Sequence, residues 1–350
     1  MFVTGISHRN RGLRVHRWLG LAIGLFAIAL ALSGTILACA PLIERIASPA
    51  RYRISGEPRI APSAYAEAAH RRLRPGERIA ALSLEQGSSP VIVTLERSSD
   101  RARRLLFLDP ATATVLASGW QEGGVMGAIR RLHDGLFLSG AGRWIVGGVG
   151  LGVLLASLTG LWTQATRKAS KHGKNRRMHK GERAAAWHRR VGLWSAMPVL
   201  VMTASGVALA FSESPPGALP APPVARPALS VERVVTSGRA WSRGTLTAID
   251  WPTERSPDWT LHFSGSDPAI VKVADDSASA IAAPGHAVPV MLSWVRRLHD
   301  GQAMPWLWRP IAALIGLLAL WTAVTGLIGW ASRPKLRRAR RGAGRSRPGR

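Results

Sequence analysis

The chain has a single cysteine, Cys39, and 20 acidic residues against 47 basic ones. Its four longest apolar runs contain no Asp, Glu, Lys or Arg at all. One cysteine excludes an intramolecular disulfide framework. Scarce acid excludes a conventional globular surface, on which charges of both signs are interspersed. Absence of charge over whole runs excludes amphipathic surface helices there, because such helices need a polar stripe. No phosphate loop, nucleophile elbow or carboxylate pair within a run is found, and Gly147, Gly148, Gly150 and Gly152 do not fit a dinucleotide fingerprint. Ion pumps place ionisable side chains at mid-membrane, and these runs offer none.

What is present is hydrophobicity and positive charge: 47% hydrophobic residues with a formal net charge of +27. The apolar runs are Trp18–Ala38, Trp144–Thr163, Val191–Phe211 and Ile311–Ala331. Each is long enough, at about 1.5 Å per residue, to cross a hydrocarbon core of roughly 30 Å. Segments 1–17, 164–190 and 331–350 carry 23 Lys/Arg and one acid, Glu182, whereas 39–143 and 212–310 carry 24 basic and 19 acidic residues. By the positive-inside rule both termini and the 164–190 loop of this multi-pass membrane protein are expected in the cytoplasm. The basic tail is read as a topological anchor at anionic lipid, not as a nucleic-acid arm. Trp18, Trp144, Trp162, Trp194, Trp306, Trp308 and Trp330 fall near span ends, as interfacial residues do. Ile36-Leu37-Ala38-Cys39 faintly resembles a lipoprotein cleavage site. The first run recurs later without a cysteine, so a retained helix is expected.

The chain repeats itself. An offset of 172 aligns His16-Arg17, Gly20-Leu21 and Ser33-Gly34 with His188-Arg189, Gly192-Leu193 and Ser205-Gly206. An offset of 166 aligns Arg130-Arg131-Leu132-His133-Asp134-Gly135 with Arg296-Arg297-Leu298-His299-Asp300-Gly301, Arg143 with Arg309, Gly150 with Gly316, and Thr159-Gly160-Leu161 with Thr325-Gly326-Leu327. Two helix pairs running in the same directions are parallel repeats about an axis along the membrane normal. Between the spans, residues 58–118 read as a helix at Ser63–Leu73, a turn at Pro75-Gly76, strands at Val91–Leu95 and Arg104–Asp109, and a turn at Asp109-Pro110-Ala111-Thr112. Residues 229–281 read alike, with a helix at Ser230–Ser237 and strands at Trp259–Phe263 and Ala269–Val273. Ser214–Pro227 is a proline-rich linker.

The expected architecture is therefore a membrane all-α four-helix core of two parallel helix-pair repeats, with two small α+β periplasmic modules. Residues 1–38 form the N-terminus and first span, 39–142 the first module with an interfacial helix, and 143–163 the second span. A basic loop follows at 164–190, the third span at 191–211, the second module with its interfacial helix at 212–308, the fourth span at 309–331, and a basic tail at 332–350.

The repeat gives four matched histidines. Symmetry pairs His16 with His188 near the cytoplasmic face and His133 with His299 near the other, in short amphipathic segments separated from the spans by Gly140-Ala141-Gly142 and Pro305. Two neutral imidazoles across a twofold axis suit the two axial positions of a haem iron. Gly20 and Gly192, one turn beyond His16 and His188, would leave room for the macrocycle. Arg143 and Arg309, or Arg130-Arg131 and Arg296-Arg297, would hold its propionates, since guanidinium binds carboxylate bidentately. Zinc would need three or four ligands, and no Cys or Glu clusters with these histidines. The bland alternative is that terminal histidines are ordinary interfacial residues. His8, His70, His172, His179, His262 and His286 lack repeat partners and are expected in solvated loops.

Val15-His16-Arg17-Trp18-Leu19-Gly20-Leu21, Ser33-Gly34, Leu132-His133-Asp134-Gly135, Gly142-Arg143 and Thr159-Gly160-Leu161-Trp162, with their second copies, resemble the PepSY-associated transmembrane family over nearly the whole chain. The resemblance implies PepSY modules at 58–118 and 229–281, two b-type haems with His16, His133, His188 and His299 as ligands, and a role in iron acquisition. In that role the protein would reduce a ferric siderophore or other ferric complex on the periplasmic side, with a cytoplasmic reductase or membrane quinol as donor. In the first module Phe107-Leu108-Asp109-Pro110 fits the PepSY pattern. Val273-Ala274-Asp275-Asp276 departs from it. Two other functions are compatible with the sequence: a non-enzymatic membrane-anchored binding or regulatory module, and a component of iron-complex transport.

Overall fold

The computed structural model describes residues 3–56, 60–84, 87, 89–166, 179–212, 221–265, 268–283, 287–301 and 305–332. The basic tail from 333, residues 167–178 of the 164–190 loop, the start of the proline-rich linker, and His172 and His286 lie outside the described residues. In chain order the elements are α1 (Val3–Ala38), α2 (Ala40–Ala47), a 3-10 turn at Pro49–Tyr52, α3 (Pro62–His70), β1 (Glu77–Ser83), β2 (Val91–Arg97), β3 (Arg103–Leu108) and β4 (Val115–Trp120). Next come α4 (Gly124–Gly135), α5 (Gly142–Ala165), α6 (Lys180–Ser212), α7 (Val231–Arg239), β5 (Thr245–Asp250), β6 (Asp258–Ser264), β7 (Ile270–Ala274), β8 (Ala280–Ala282), α8 (Ala287–Asp300) and α9 (Pro305–Ala331). They form two compact units, one of Met1–Cys39, Ile129–Pro216 and Val288–Arg350, the other of Ala40–Ala128 and Gly217–Ala287.

The helical unit contains four helices long and apolar enough to cross a membrane, over Arg11–Ala38, Gly142–Ala165, Lys180–Ser212 and Trp306–Ala331. Each contains or nearly contains one apolar run. The first and third continue for two turns or more into basic sequence, because backbone hydrogen bonding does not stop where hydrophobicity does. Helix α1 packs on α5 and α9, and α6 packs on the same two, so α1 and α6 occupy opposite corners. Glycine sets the closeness of approach: a Cβ at Gly150 of α5 would stand 2.5 Å from Val207 of α6, and one at Gly316 of α9 would collide with Thr35 of α1. Thr35 and Val207 are 172 residues apart, and Gly150 and Gly316 are 166 apart, the two offsets of the sequence repeat. Pro198 lies inside α6 and Pro310 in the second turn of α9.

The other unit is built on a single antiparallel sheet of eight strands in the order β4-β3-β2-β1-β5-β6-β7-β8. Two meanders of four strands meet where Ala81, Leu82 and Ser83 pair with Asp250, Ile249 and Ala248. Alternation directs Val91, Val93 and Leu95 of β2, and Trp259, Leu261 and Phe263 of β6, into one buried layer. Helices α3 and α7 pack on this layer with Tyr65 and Val234 fully buried. Ser230, predicted to begin the second helix, is its N-cap and accepts from Arg233 N–H. Gly76 takes φ +78°, as the Pro75-Gly76 turn requires.

The β3–β4 and β7–β8 hairpins are closed alike. Ala113 N–H donates to the Asp109 carbonyl and Ala278 N–H to the Ala274 carbonyl, with both alanines left-handed at φ 56° and 58°. Asp109 accepts from Ser55 N–H, the Ser55 hydroxyl and the Thr112 hydroxyl. Asp275 accepts from the backbone of Ala228 and Leu229 and from Trp259 Nε1. The departure of the second hairpin from the sequence pattern thus leaves the turn intact and moves the anchoring carboxylate one residue along. The two segments read separately as modules share one sheet, a join made by the short β1–β5 pairing and its flanking backbone hydrogen bonds, which no hydrophobic pattern announces. His8, His70 and His262 also differ from expectation. His8 lies in α1, His70 ends α3, and His262 lies in β6, half-buried, with Nε2 2.8 Å from Asp250.

Candidate functional site

The four matched histidines form two pairs. His16 of α1 and His188 of α6, from opposite corners of the bundle, bring their ring centroids to 6.0 Å with planes inclined at 52°. His133 of α4 and His299 of α8 come to 6.3 Å at 34°. A metal–imidazole bond of about 2.0 Å and the roughly 1.1 Å from ring nitrogen to ring centre, each taken twice, put opposed ligands of one ion about 6 Å apart. Both spacings match that figure. Among the described residues no three His, Cys, Asp or Glu side chains converge, so the available donor set is two imidazoles per site.

Each ring rests on a seat of the same construction. A Ser or Thr is followed by Gly, and the histidine's Nδ1 meets the backbone carbonyl three residues before the hydroxyl residue. His16 Nδ1 lies 2.8 Å from the Ala156 carbonyl, with Thr159-Gly160 as the dipeptide. His188 Nδ1 lies 2.8 Å from the Thr322 carbonyl, with Thr325-Gly326. His133 Nδ1 lies 3.1 Å from the Leu30 carbonyl and 3.0 Å from the Ser33 hydroxyl, with Gly34 next. His299 Nδ1 lies 3.0 Å from the Ser205 hydroxyl and bonds the Met202 carbonyl, with Gly206 next. A carbonyl can only accept, so Nδ1 carries the proton and Nε2 the lone pair a metal requires.

The glycine of each seat lies against the ring, closest at the His133/His299 level. A Cβ at Gly34 or Gly206 would stand 2.9 Å from Cε1 of His133 or His299. At Gly326 it would be 3.0 Å from His188, and at Gly160 3.2 Å from His16. The hydroxyls are turned into their own helices: Ser33 donates to Ala29 and Leu30, Ser205 to Met202, Thr159 to Leu155 and Ala156, Thr325 to Trp321 and Thr322. Burial pushes the His133 imidazole down to about 4, with the neighbouring His299 and Arg130 acting the same way, and burial also lowers His299. Both are held neutral, as ligands must be.

On α1 the level of His16 and the seat at Leu30–Gly34 are 14 to 18 residues apart, and α6 repeats the interval from His188 to Met202–Gly206. At about 1.5 Å per residue the two levels are roughly 20–25 Å apart along the helices, most of a hydrocarbon core.

Gly20 opens on empty space within 4 Å, and a Cβ at Gly192 would meet only the Thr322 methyl at 3.8 Å. Arg143 is the second residue of α5 and Arg309 the fifth of α9, both half-buried. Arg130, Arg131, Arg296 and Arg297 are exposed on α4 and α8. A family model described as PepSY-associated TM region matches residues 13–333. The chain belongs to that family. No curated protein matches it. The four Ser/Thr-Gly dipeptides of this PepSY-associated TM protein are visible in the sequence as repeat matches, but their service to the histidines is not. The signal that identifies them is numerical: four dipeptides, four histidines, and the same two offsets relating each set.

Proposed function

We propose that this protein is a transmembrane electron carrier of the bacterial inner membrane, made of two parallel helix-pair repeats, that reduces a ferric complex outside the cytoplasm during iron uptake. A ferric siderophore is the substrate class favoured. The observation that carries the reading is the pair of imidazole pairs, at 6.0 and 6.3 Å, on levels most of a bilayer apart. His16 with His188, and His133 with His299, would each hold one b-type haem. Bound there, the two haems supply one-electron centres near the two faces of the membrane.

The chain's own residues do the rest. The seat carbonyls take the Nδ1 protons and fix each ring's tautomer and rotation. The seat glycines let the rings lie flush on the neighbouring helix. Apolar spans keep water from the centres, and Arg143 and Arg309 offer guanidinium groups to propionates. Reduction matters because the hard oxygen donors of a siderophore hold Fe(III) far more strongly than Fe(II). Electrons would come from a cytoplasmic reductase or membrane quinol, with both termini cytoplasmic, as the distribution of basic residues indicates.

The test is the absorption spectrum of the protein purified in detergent after expression with ample haem. A Soret band that shifts with dithionite, a stoichiometry of two haems per chain, and loss of one in His16→Ala and of the other in His299→Ala are expected. A colourless protein would sink the proposal.

A further inference from the structure

The two pairs use their seats differently. In the His16/His188 pair the short partner of each Nδ1 is a backbone carbonyl, at 2.8 Å in both rings. The Thr159 hydroxyl stands at 3.4 Å from His16 Nδ1. In the His133/His299 pair a serine hydroxyl stands 3.0 Å from Nδ1 in both rings, and the Leu30 carbonyl is at 3.1 Å from His133. Both serines are buried, Ser33 at 1% and Ser205 at 6% exposure. Each donates its own proton to a carbonyl of its helix, 2.7 Å away, so an oxygen lone pair is what it turns toward the imidazole.

We propose that Ser33 and Ser205 are positioning residues that set the redox potential of one centre independently of the other. This rests on the di-haem reading above. A second acceptor on Nδ1–H increases the basicity of Nε2, and a more basic axial ligand favours the oxidised iron. The His16/His188 centre takes its short Nδ1 partners from backbone, which no side-chain substitution removes. The His133/His299 centre has a side-chain handle, present in both copies and preserved as serine where the other level has threonine. One centre is therefore fixed chiefly by the helix, and the other is adjustable through one side-chain oxygen on each ring.

Redox titration of the haem-loaded protein tests this. The Ser33→Ala/Ser205→Ala variant is expected to keep two haems and a low-spin bis-imidazole spectrum while the midpoint of one couple rises. The oxidised-to-reduced ratio of that centre at a fixed potential should change by roughly fivefold, because the two hydrogen bonds removed differ between oxidised and reduced iron by only part of their net worth. Thr159→Ala/Thr325→Ala should move the midpoints less. Ser33→Thr/Ser205→Thr restores the hydroxyl and should restore the wild-type midpoint. Unchanged midpoints in the alanine variant, both midpoints moving together, or a threonine variant that behaves as alanine would each overturn the assignment. A wild-type chain that takes up no haem defeats the di-haem reading by itself. In that event the same bonds are read from ¹⁵N-histidine spectra: the His133 and His299 Nδ1 resonances should move in the alanine variant, and unmoved resonances overturn the serine assignment.

Discussion

Among the described residues, the buried polar side chains of the sheet unit are Glu77, Glu96, Arg104, Asp109 and Ser242, whereas those of the helical unit are Ser33, Thr35, Ser195, Ser205 and Thr325. Four of the first five are ionic, and all of the second five are hydroxyls. In the sheet unit Arg104 grips Glu77 with Nε and Nη2, its Nη2 also reaching the Arg72 carbonyl, and both side chains are 5% exposed or less. Arg101 and Arg103 close on Glu96 from 2.6 and 3.0 Å. In the helical unit Ser33, Thr35, Ser205 and Thr325 donate to carbonyls three or four residues back on their own helices. A hydroxyl satisfied within its own helix carries no charge that must be desolvated, so it can sit in an apolar bundle at little cost. Buried ions need surrounding partners, which the sheet unit supplies from strand ends and turns. Charge is admitted on one side of this division and replaced by lone pairs on the other.

The strongest break in that contrast is steric. Gly34→Val with Gly206→Val should push His133 and His299 off their seats and, on the di-haem proposal, reduce haem per chain from two to one, measured by pyridine haemochrome, with the sheet unit still folded by circular dichroism. Arg104→Leu should do the reverse. Leaving Glu77 buried without its guanidinium costs about 3–5 kcal/mol, read as an earlier unfolding transition of the sheet unit, while the haem spectrum stays unchanged.

Acid should separate the units more gently. The Arg104 guanidinium, aided by Arg74 N–H, holds the Glu77 carboxyl below its ordinary 4.5. Burial alone would raise Asp109, but hydrogen bonds from Ser55 and Thr112 outweigh it and hold the group below 3.8. Both groups contribute stability that is fully present above those ordinary values and is lost as pH falls through the lower folded ones. The stability of the sheet unit should therefore decline below about pH 4.5, as followed by tryptophan fluorescence in chemical denaturation. In Glu77→Gln that decline should shrink. An unchanged acid limb in that variant would count against the ion pair as its source.

The smallest effect concerns the two hairpins. Ala113→Gly and Ala278→Gly relieve left-handed alanines at the cost of some unfolded-state entropy, so each should stabilise the sheet unit by about 0.5 kcal/mol. The helical unit has no corresponding gain to make at its seats, where the glycines already stand.

Legibility in the sequence followed the same division. The four spans could be read because lipid demands continuous apolarity, and Trp18–Ala38 or Ile311–Ala331 offer no rival pattern. The partners of the histidines could be read because a repeat with two fixed offsets leaves symmetry only one pairing at each level. The seats could not be read. That Gly160 on α5 lies under His16 of α1 depends on the rotation of one helix against another, which hydrophobic periodicity leaves free within a run apolar on every side. The continuous sheet was hidden for a similar reason: Ala81, Leu82 and Ser83 look like any strand edge, and their match to Ala248, Ile249 and Asp250 is backbone chemistry common to all residues. His262 was misjudged because it is polar within a strand whose other face is buried, a position that composition does not separate from a loop.

Every ring sits on a seat from its own half of the chain, yet meets its partner from the other half. A polypeptide holding only one half would possess rings and seats but no completed pair, and would complete both by meeting a second copy of itself about a twofold axis. Joining two such copies end to end removes the dependence on concentration, because the second imidazole is tethered beside the first. It also frees the copies to differ. Ser195, buried on α6, stands where α1 has Ile23. A symmetric dimer must change in two places at once, whereas a single chain can change in one.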